Sequence, residues 1–218
     1  MKKLIFFPLL ATLCLSSCWT PYQTTYSTPA SPDLSISGSY DIVLNEVERP
    51  ENTKERYGES TIITLEEEGT TKYSYEDELI RIVWLPGSTK FSFLLENKST
   101  HSIRIIWDEA VYVDKDGSSG RVMHSGVKYS ERNNSQPPTV IVKNSNITDI
   151  IVPSDYVYYD RYWTTNDLFP TYAASKEKLE EMNQKYIGKT VKILLPLQIQ
   201  DTVNEYLFSF IIQDFIAK

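Results

Sequence analysis

After position 18 the chain has no cysteine; its two, Cys14 and Cys18, both lie near the N-terminus. The rest of the chain therefore has no disulfide, no thiolate for a metal site and no cysteine nucleophile, so its stability must come from a packed core. Histidine is equally scarce, with only His101 and His124. Glycine numbers eight, and no glycine-rich phosphate cradle occurs. No apolar run approaches the roughly 20 residues that a membrane-crossing helix needs. Positive charge is also short, with 22 Lys and Arg against 29 Asp and Glu and a net charge of −7. A nucleic-acid binder needs the opposite balance. Residues 41–78 carry 12 of the acids against 4 bases. A solvated face explains that block, and cationic partners or divalent ions are the other reading. No cofactor or metal motif is present.

What the sequence does have begins at its N-terminus. Lys2 and Lys3 precede an apolar run from Leu4 to Leu15, interrupted by Pro8. A short apolar stretch behind two lysines is a targeting pattern, not an anchor. Leu15-Ser16-Ser17-Cys18 follows. This tetrad resembles the lipobox of bacterial lipoproteins, cut by an enzyme of the signal peptidase II type. The resemblance covers only the first 18 residues. It implies removal of residues 1–17, a diacylglyceryl thioether on Cys18 and acylation of its new amine by a chain such as palmitate. It further implies a membrane partner held through lipid and a domain facing the cell envelope outside the cytoplasm. Position 19 is Trp, not the Asp that retains enterobacterial lipoproteins at the inner membrane, which implies the outer membrane in a host that has one. Losing Lys2 and Lys3 with the leader takes the net charge from −7 to −9.

Residues 18–39 are rich in Ser, Thr, Pro and Tyr without apolar period and are expected to form a lipidated, flexible tether. From position 40 to 218 the pattern is that of a single all-β domain. Ile80, Ile82 and Trp84 alternate with polar neighbours, as do Phe91, Phe93 and Leu95, then Ile103, Ile105 and Trp107. Turns fall at Pro86-Gly87, Asn97–Thr100 and Asp114–Gly117. Shorter strands are expected at 122–127, 139–142 and 147–152, and a long hairpin over 190–215, with Pro196 at an edge or bulge. Residues 131–138 read as a mobile loop and 156–172 as irregular and aromatic. One helix is expected at 175–187, capped by Ser175, with Leu179, Met182 and Tyr186 on one face and Gly188 past its end. The architecture is an antiparallel β-sandwich, comparable to immunoglobulin-like domains in layout alone.

Few residues bear chemistry. Asp114-Lys115-Asp116-Gly117 matches the opening of a calcium loop, but its glycine comes too early and Ser125 stands where the last ligand should be; a polar turn is the better account. Neither histidine sits in a nucleophile-elbow pattern, and His124 reads as a hydrogen-bonded strand residue. Glu66–Glu68 and Glu76–Glu78 offer carboxylates without discriminating among them. Asn97, Asn133 and Asn146 open Asn-x-Ser/Thr triplets that carry little meaning in a bacterial host.

The cluster of interest is Tyr156, Tyr158, Tyr159, Arg161, Tyr162 and Trp163, beside Asp160. Such rings give large contact area at low entropic cost. Either they form a binding surface for a glycan or peptide, or they pack a loop over one end of the sandwich. The expected function is a non-enzymatic, lipid-anchored interaction or structural module of the envelope. A glycan- or peptide-binding module stands second, and a hydrolase with cross-strand carboxylates third. Mass spectrometry of the mature N-terminus should show a lipid-modified Cys18, and Cys18→Ser should abolish both normal processing and partitioning into the lipid fraction.

Overall fold

The computed structural model describes residues 35–49 and 57–218. Cys18, the leader and most of the tether lie outside the described residues. The first strand, β1 (Ile36–Glu48), starts four residues before the expected domain boundary at 40. Ile36 and Ser37 pair with β13 (Tyr172–Ala173), and residues from Gly38 onward pair with β15 (Thr202–Ala217).

One antiparallel sheet curls over itself into two facing layers. The first layer runs from β1 through β15 to β14 (Thr190–Ile199), whose other edge pairs with β6 (Ile103–Ile105) and β7 (Val111–Val113). The second holds β2 (Thr61–Glu67), β3 (Thr70–Glu76), β4 (Ile80–Pro86), β5 (Phe91–Asn97) and β10 (Asn146–Pro153) in that spatial order. The link between layers is β8 (Ser119–Met123), paired with both β7 and β10. A short β9 (Thr139–Ile141) pairs with β6. The fold is an all-β, sandwich-like one with a single short helix among the described residues, α1 (Lys176–Tyr186).

Alternation dictates which residues meet between the layers. Ile80, Ile82 and Trp84 of β4 and Phe91, Phe93 and Leu95 of β5 are buried and face Tyr206, Phe208, Phe210 and Ile212 of β15. Trp84 lies 5.1 Å from Phe208 and 5.6 Å from Phe210, centroid to centroid, and Phe91 lies 4.9 Å from Phe210. These tilted and edge-to-face contacts are the arrangements that ring quadrupoles favour.

At one end of the sandwich a carboxylate is buried. Asp77 follows β3 and is only 3% exposed. Its Oδ1 accepts the amides of Leu79 and Ile80, each at 2.9 Å. Its Oδ2 accepts the hydroxyls of Tyr75 at 2.9 Å and Tyr206 at 3.0 Å, and Arg49 Nη1 stands 3.6 Å away. Burial, reinforced by the Asp77 charge, pushes both phenols well above the ordinary tyrosine value, so both stay protonated and donate. Beside this group Tyr57 donates to Asn204 Oδ1 at 2.6 Å, and Asn204 Nδ2 donates to the Leu197 carbonyl at 2.9 Å.

Several expectations are corrected. Residues 122–127 are not one strand: β8 ends at Met123, and His124 lies beyond it. Pro196 sits inside β14, neither on an edge strand nor at a bulge. Its missing donor falls where the partner of β14 changes from β6, paired with 197–199, to β7, paired with 192–194. Its carbonyl still accepts the Ile106 amide at 3.1 Å. Residues 131–138 are tied down: Gln136 is buried, with Nε2 donating to the Val122 carbonyl at 2.7 Å. Arg121 Nη1 and Nη2 donate to the carbonyls of Asn133 and Asn134, at 3.0 and 3.1 Å. Residues 156–172 contain a hairpin of β11 (Val157–Asp160) and β12 (Tyr162–Thr165). The helix matches its expectation, with Ser175 Oγ accepting the Lys178 amide at 3.3 Å and Gly188 at φ +78°.

Asp77→Ala should destabilise the protein by about 3–5 kcal/mol, because it strands a guanidinium, two phenols and two amides at once. Denaturant unfolding of the variant checks this, and a loss below ~1 kcal/mol would contradict the assignment.

Candidate functional site

The aromatic hairpin is built by a sequence that gives few turn signals. Pro153 leads into a 3-10 turn at Ser154–Tyr156, and β11 follows at once. The Asn166 amide donates to the Tyr156 carbonyl at 2.8 Å and closes the base. Tyr158 pairs with Thr164, Tyr159 with Trp163 and Asp160 with Tyr162, so the tip is Arg161 alone. Arg161 takes φ +60°, a conformation usually given to Gly or Asn. That residue hides the turn from sequence reading.

Pairing and alternation divide the side chains between two faces. Tyr159 and Trp163 share one face, their rings 5.4 Å apart at 65°. Tyr158 and Tyr162 lie on the other, with Asp160. Tyr159 is 63% exposed, Tyr162 70% and Trp163 37%. These two strands form a sheet of their own, unpaired with the main one. The arrangement presents amphipathic rings on both faces of a small blade. It suits contact with a sugar face or an extended peptide, and it holds no acid–base pair or nucleophile.

Two residues that sequence reading passed over join the blade. The Arg132 guanidinium carbon stands 5.1 Å from the centroid of the Trp163 ring, within the range of cation–π attraction. Tyr129 OH accepts from Thr165 Oγ1 at 3.4 Å. Both come from the segment Lys128-Tyr129-Ser130-Glu131-Arg132, whose mix of aromatic and basic residues was the available signal. Tyr156, expected among the exposed cluster, is not with it. It is half-buried and packs edge-on to Tyr112, at 6.4 Å.

The other chemistry-bearing residues have structural partners. Asp114 Oδ1 accepts the amides of Asp116 and Ser118, at 2.9 and 2.8 Å, as in a polar turn. Asn97 is buried, its Nδ2 donating to the carbonyls of His101 and Ile141 at 2.7 and 3.0 Å. His101 is exposed, with Nδ1 2.9 Å from Thr100 Oγ1 and Nε2 2.9 Å from Gln200 Nε2. His124 stacks on Trp107 at 4.2 Å and 2°, with Nδ1 3.2 Å from Asp149 Oδ2. No hydroxyl bonds the other ring nitrogen of His124 among the described residues. Glu67 pairs with Lys72, and Glu76 with Lys98. Hydrogen bonds from these lysines hold both carboxyls below the usual range, the opposite of what a general acid requires.

Burial alone would push the Asp149 carboxyl up. Hydrogen bonds from His124 and from the amides of Ser125 and Ile150 outweigh burial and hold it below its ordinary value. The stabilisation this gives is therefore present above the unfolded value, near pH 4, and is lost as pH falls through the lower folded value. Asp149→Asn should lose stability at pH 7 and show a flatter stability profile than the parent below about pH 4. Denaturant titrations across pH check this. Comparisons with protein-family models, with curated proteins and with solved structures return no match, so the geometry is what speaks for function.

Proposed function

We propose that this chain is a lipid-anchored protein of the bacterial envelope whose β-sandwich acts by contact, not by catalysis. On this reading Cys18 carries the lipid, residues 19–35 set the reach, and the β11–β12 hairpin is the contact element. The observation that carries the reading is the Tyr159–Trp163 pair. Two large rings stand exposed on a two-stranded sheet of their own. Packing accounts for part of Trp163, over which Arg132 lies, and for little of Tyr159, and large exposed rings grouped together mark interaction sites. Aromatic rings on both faces, an arginine at the tip and Arg132 behind Trp163 favour an envelope glycan or an extended peptide as the thing contacted.

The test is the full-length protein with Tyr159→Ala and Trp163→Ala combined. Binding to envelope glycans or peptides on an array should fall at least about tenfold, the weight of a contact hot spot. Unfolding stability should change by less than ~1 kcal/mol, since both rings are largely outside the core. Unchanged binding with lost stability would assign the rings to packing instead.

A further inference from the structure

The chain enters the sandwich at one identifiable end. Ile36, the first residue of β1, pairs with Ala173, and Ser37 pairs with Tyr172. The Gly38 amide donates to the Thr171 carbonyl at 2.9 Å, and the Leu168 amide donates at 2.6 Å to Ser88, in the turn between β4 and β5. The last residues of β15 lie at the same end, with Ser39 opposite Ile216. Tyr40 and Phe215 point inward, ring centroids 5.2 Å apart. Alternation therefore sends Ser37, Ser39, Tyr172 and Ile216 outward. Tyr172 is 55% exposed and Ile216 56%. Lys218 lies beside Ser37, its amide donating to the Ser37 carbonyl at 2.8 Å.

The outer face changes character with distance from this entry. The rows of Ser37 and Ser39 carry no acidic side chain. Asp41 and Asp214 come next, directly opposite each other, and Glu46 and the Glu48–Lys192 pair lie farther on. Single exposed apolar residues are ordinary on a protein surface, but these two flank the point where the tether joins. On the lipid-anchor reading above, on which this inference rests, residues 19–35 separate the acylated Cys18 from β1. Fully stretched, they reach at most ~60 Å. The 16 residues of β15 alone run roughly 50 Å, so the entry end is the part of the domain held nearest the bilayer. Tethering keeps it there at an effective millimolar concentration, and a weak grip is then enough. Tyrosine favours the membrane–water interface, and a lysine can lay its stem along lipid with its ammonium among the headgroups. A carboxylate pair resists entry. Asp41 and Asp214 stand two residues past Ser39, roughly 7 Å along the strand, close to the depth to which interfacial elements sink. We propose that the entry end of the domain rests on the lipid surface, with Tyr172 and Ile216 dipped into the interface and Asp41 and Asp214 at the waterline.

The lack of cysteine after position 18 suits the test, because an introduced cysteine is then the one thiol left once Cys18 is acylated. The full-length protein, processed and reconstituted into phosphatidylcholine vesicles, carries a nitroxide at Ser37→Cys or, as reference, at Val203→Cys. Val203 is 40% exposed and lies at the opposite end of β15. Spin relaxation by oxygen, which concentrates in lipid, is compared with relaxation by a water-soluble nickel complex. The label at position 37 should favour oxygen several-fold more than the label at 203. Combining Tyr172→Ala with Ile216→Ala should return position 37 to the reference value with the melting temperature unchanged, since both side chains are more than half exposed. The Tyr159/Trp163 double variant should leave position 37 immersed, which separates this contact from the hairpin. Protein that fails to float with the vesicles overturns the lipid anchor and this inference together. Protein that floats with position 37 as accessible to nickel as position 203 overturns this inference alone, and so does a Tyr172/Ile216 double variant whose label stays immersed.

Discussion

The Asp77 carboxylate is the constraint around which one end of this fold is organised. Its five partners come from four places along the chain. Tyr75 belongs to β3, Leu79 and Ile80 to the turn into β4, Tyr206 to β15, and Arg49 follows β1. The first three lie in one layer and the last two in the other. A charge in a core is tolerable only when almost every lone pair is used, and here both oxygens are. Hydrophobic contact can hold two sheets together at many offsets; a carboxylate with four fixed donors and a guanidinium beside it permits very few. The aromatic packing of Trp84, Phe208 and Phe210 supplies cohesion, and Asp77 supplies register.

The parts of this architecture legible in the sequence are those written in period two. Ile80–Trp84, Phe91–Leu95, Ile103–Ile105 and the 190–215 hairpin alternate cleanly because one face of each is core and the other is not. The helix was legible because Ser175 and Gly188 mark its ends by backbone chemistry. What stayed hidden has a common cause. The β11–β12 hairpin turns at an arginine in the left-handed region, where composition gives no notice. Residues 131–138 look mobile by composition, yet Gln136 and Arg121 fasten them by hydrogen bonds that span 12 or more positions. Asp77 looked like one more acid in an acidic block. Its burial depends on Tyr206, far along the chain, and single-chain patterns do not carry such pairings.

The aromatic cluster at 156–163 was found as a composition and resolves into two different things. Tyr158, Tyr159, Tyr162 and Trp163 stand out on the blade, whereas Tyr156 turns inward toward Tyr112. The break comes where the 3-10 turn passes into β11. Residues adjacent in sequence thus serve separate surfaces, one convex and open, the other a recess lined by phenols.

The two outer strands of the curled sheet carry one more consequence. A sheet that does not close leaves ladders of unsatisfied amides and carbonyls, and these invite pairing with a neighbouring copy. One margin here is β1, of which β13 covers only Ile36 and Ser37, and whose remaining length bears Asp41, Glu46 and Glu48. The other is β2, which bears Glu66 and Glu67 and turns at Glu68 with φ +51°. Like charges brought strand to strand on that side repel. The acidic run that looked like mere solubility therefore also acts as a fence, setting one copy of the sheet against zipping onto the next.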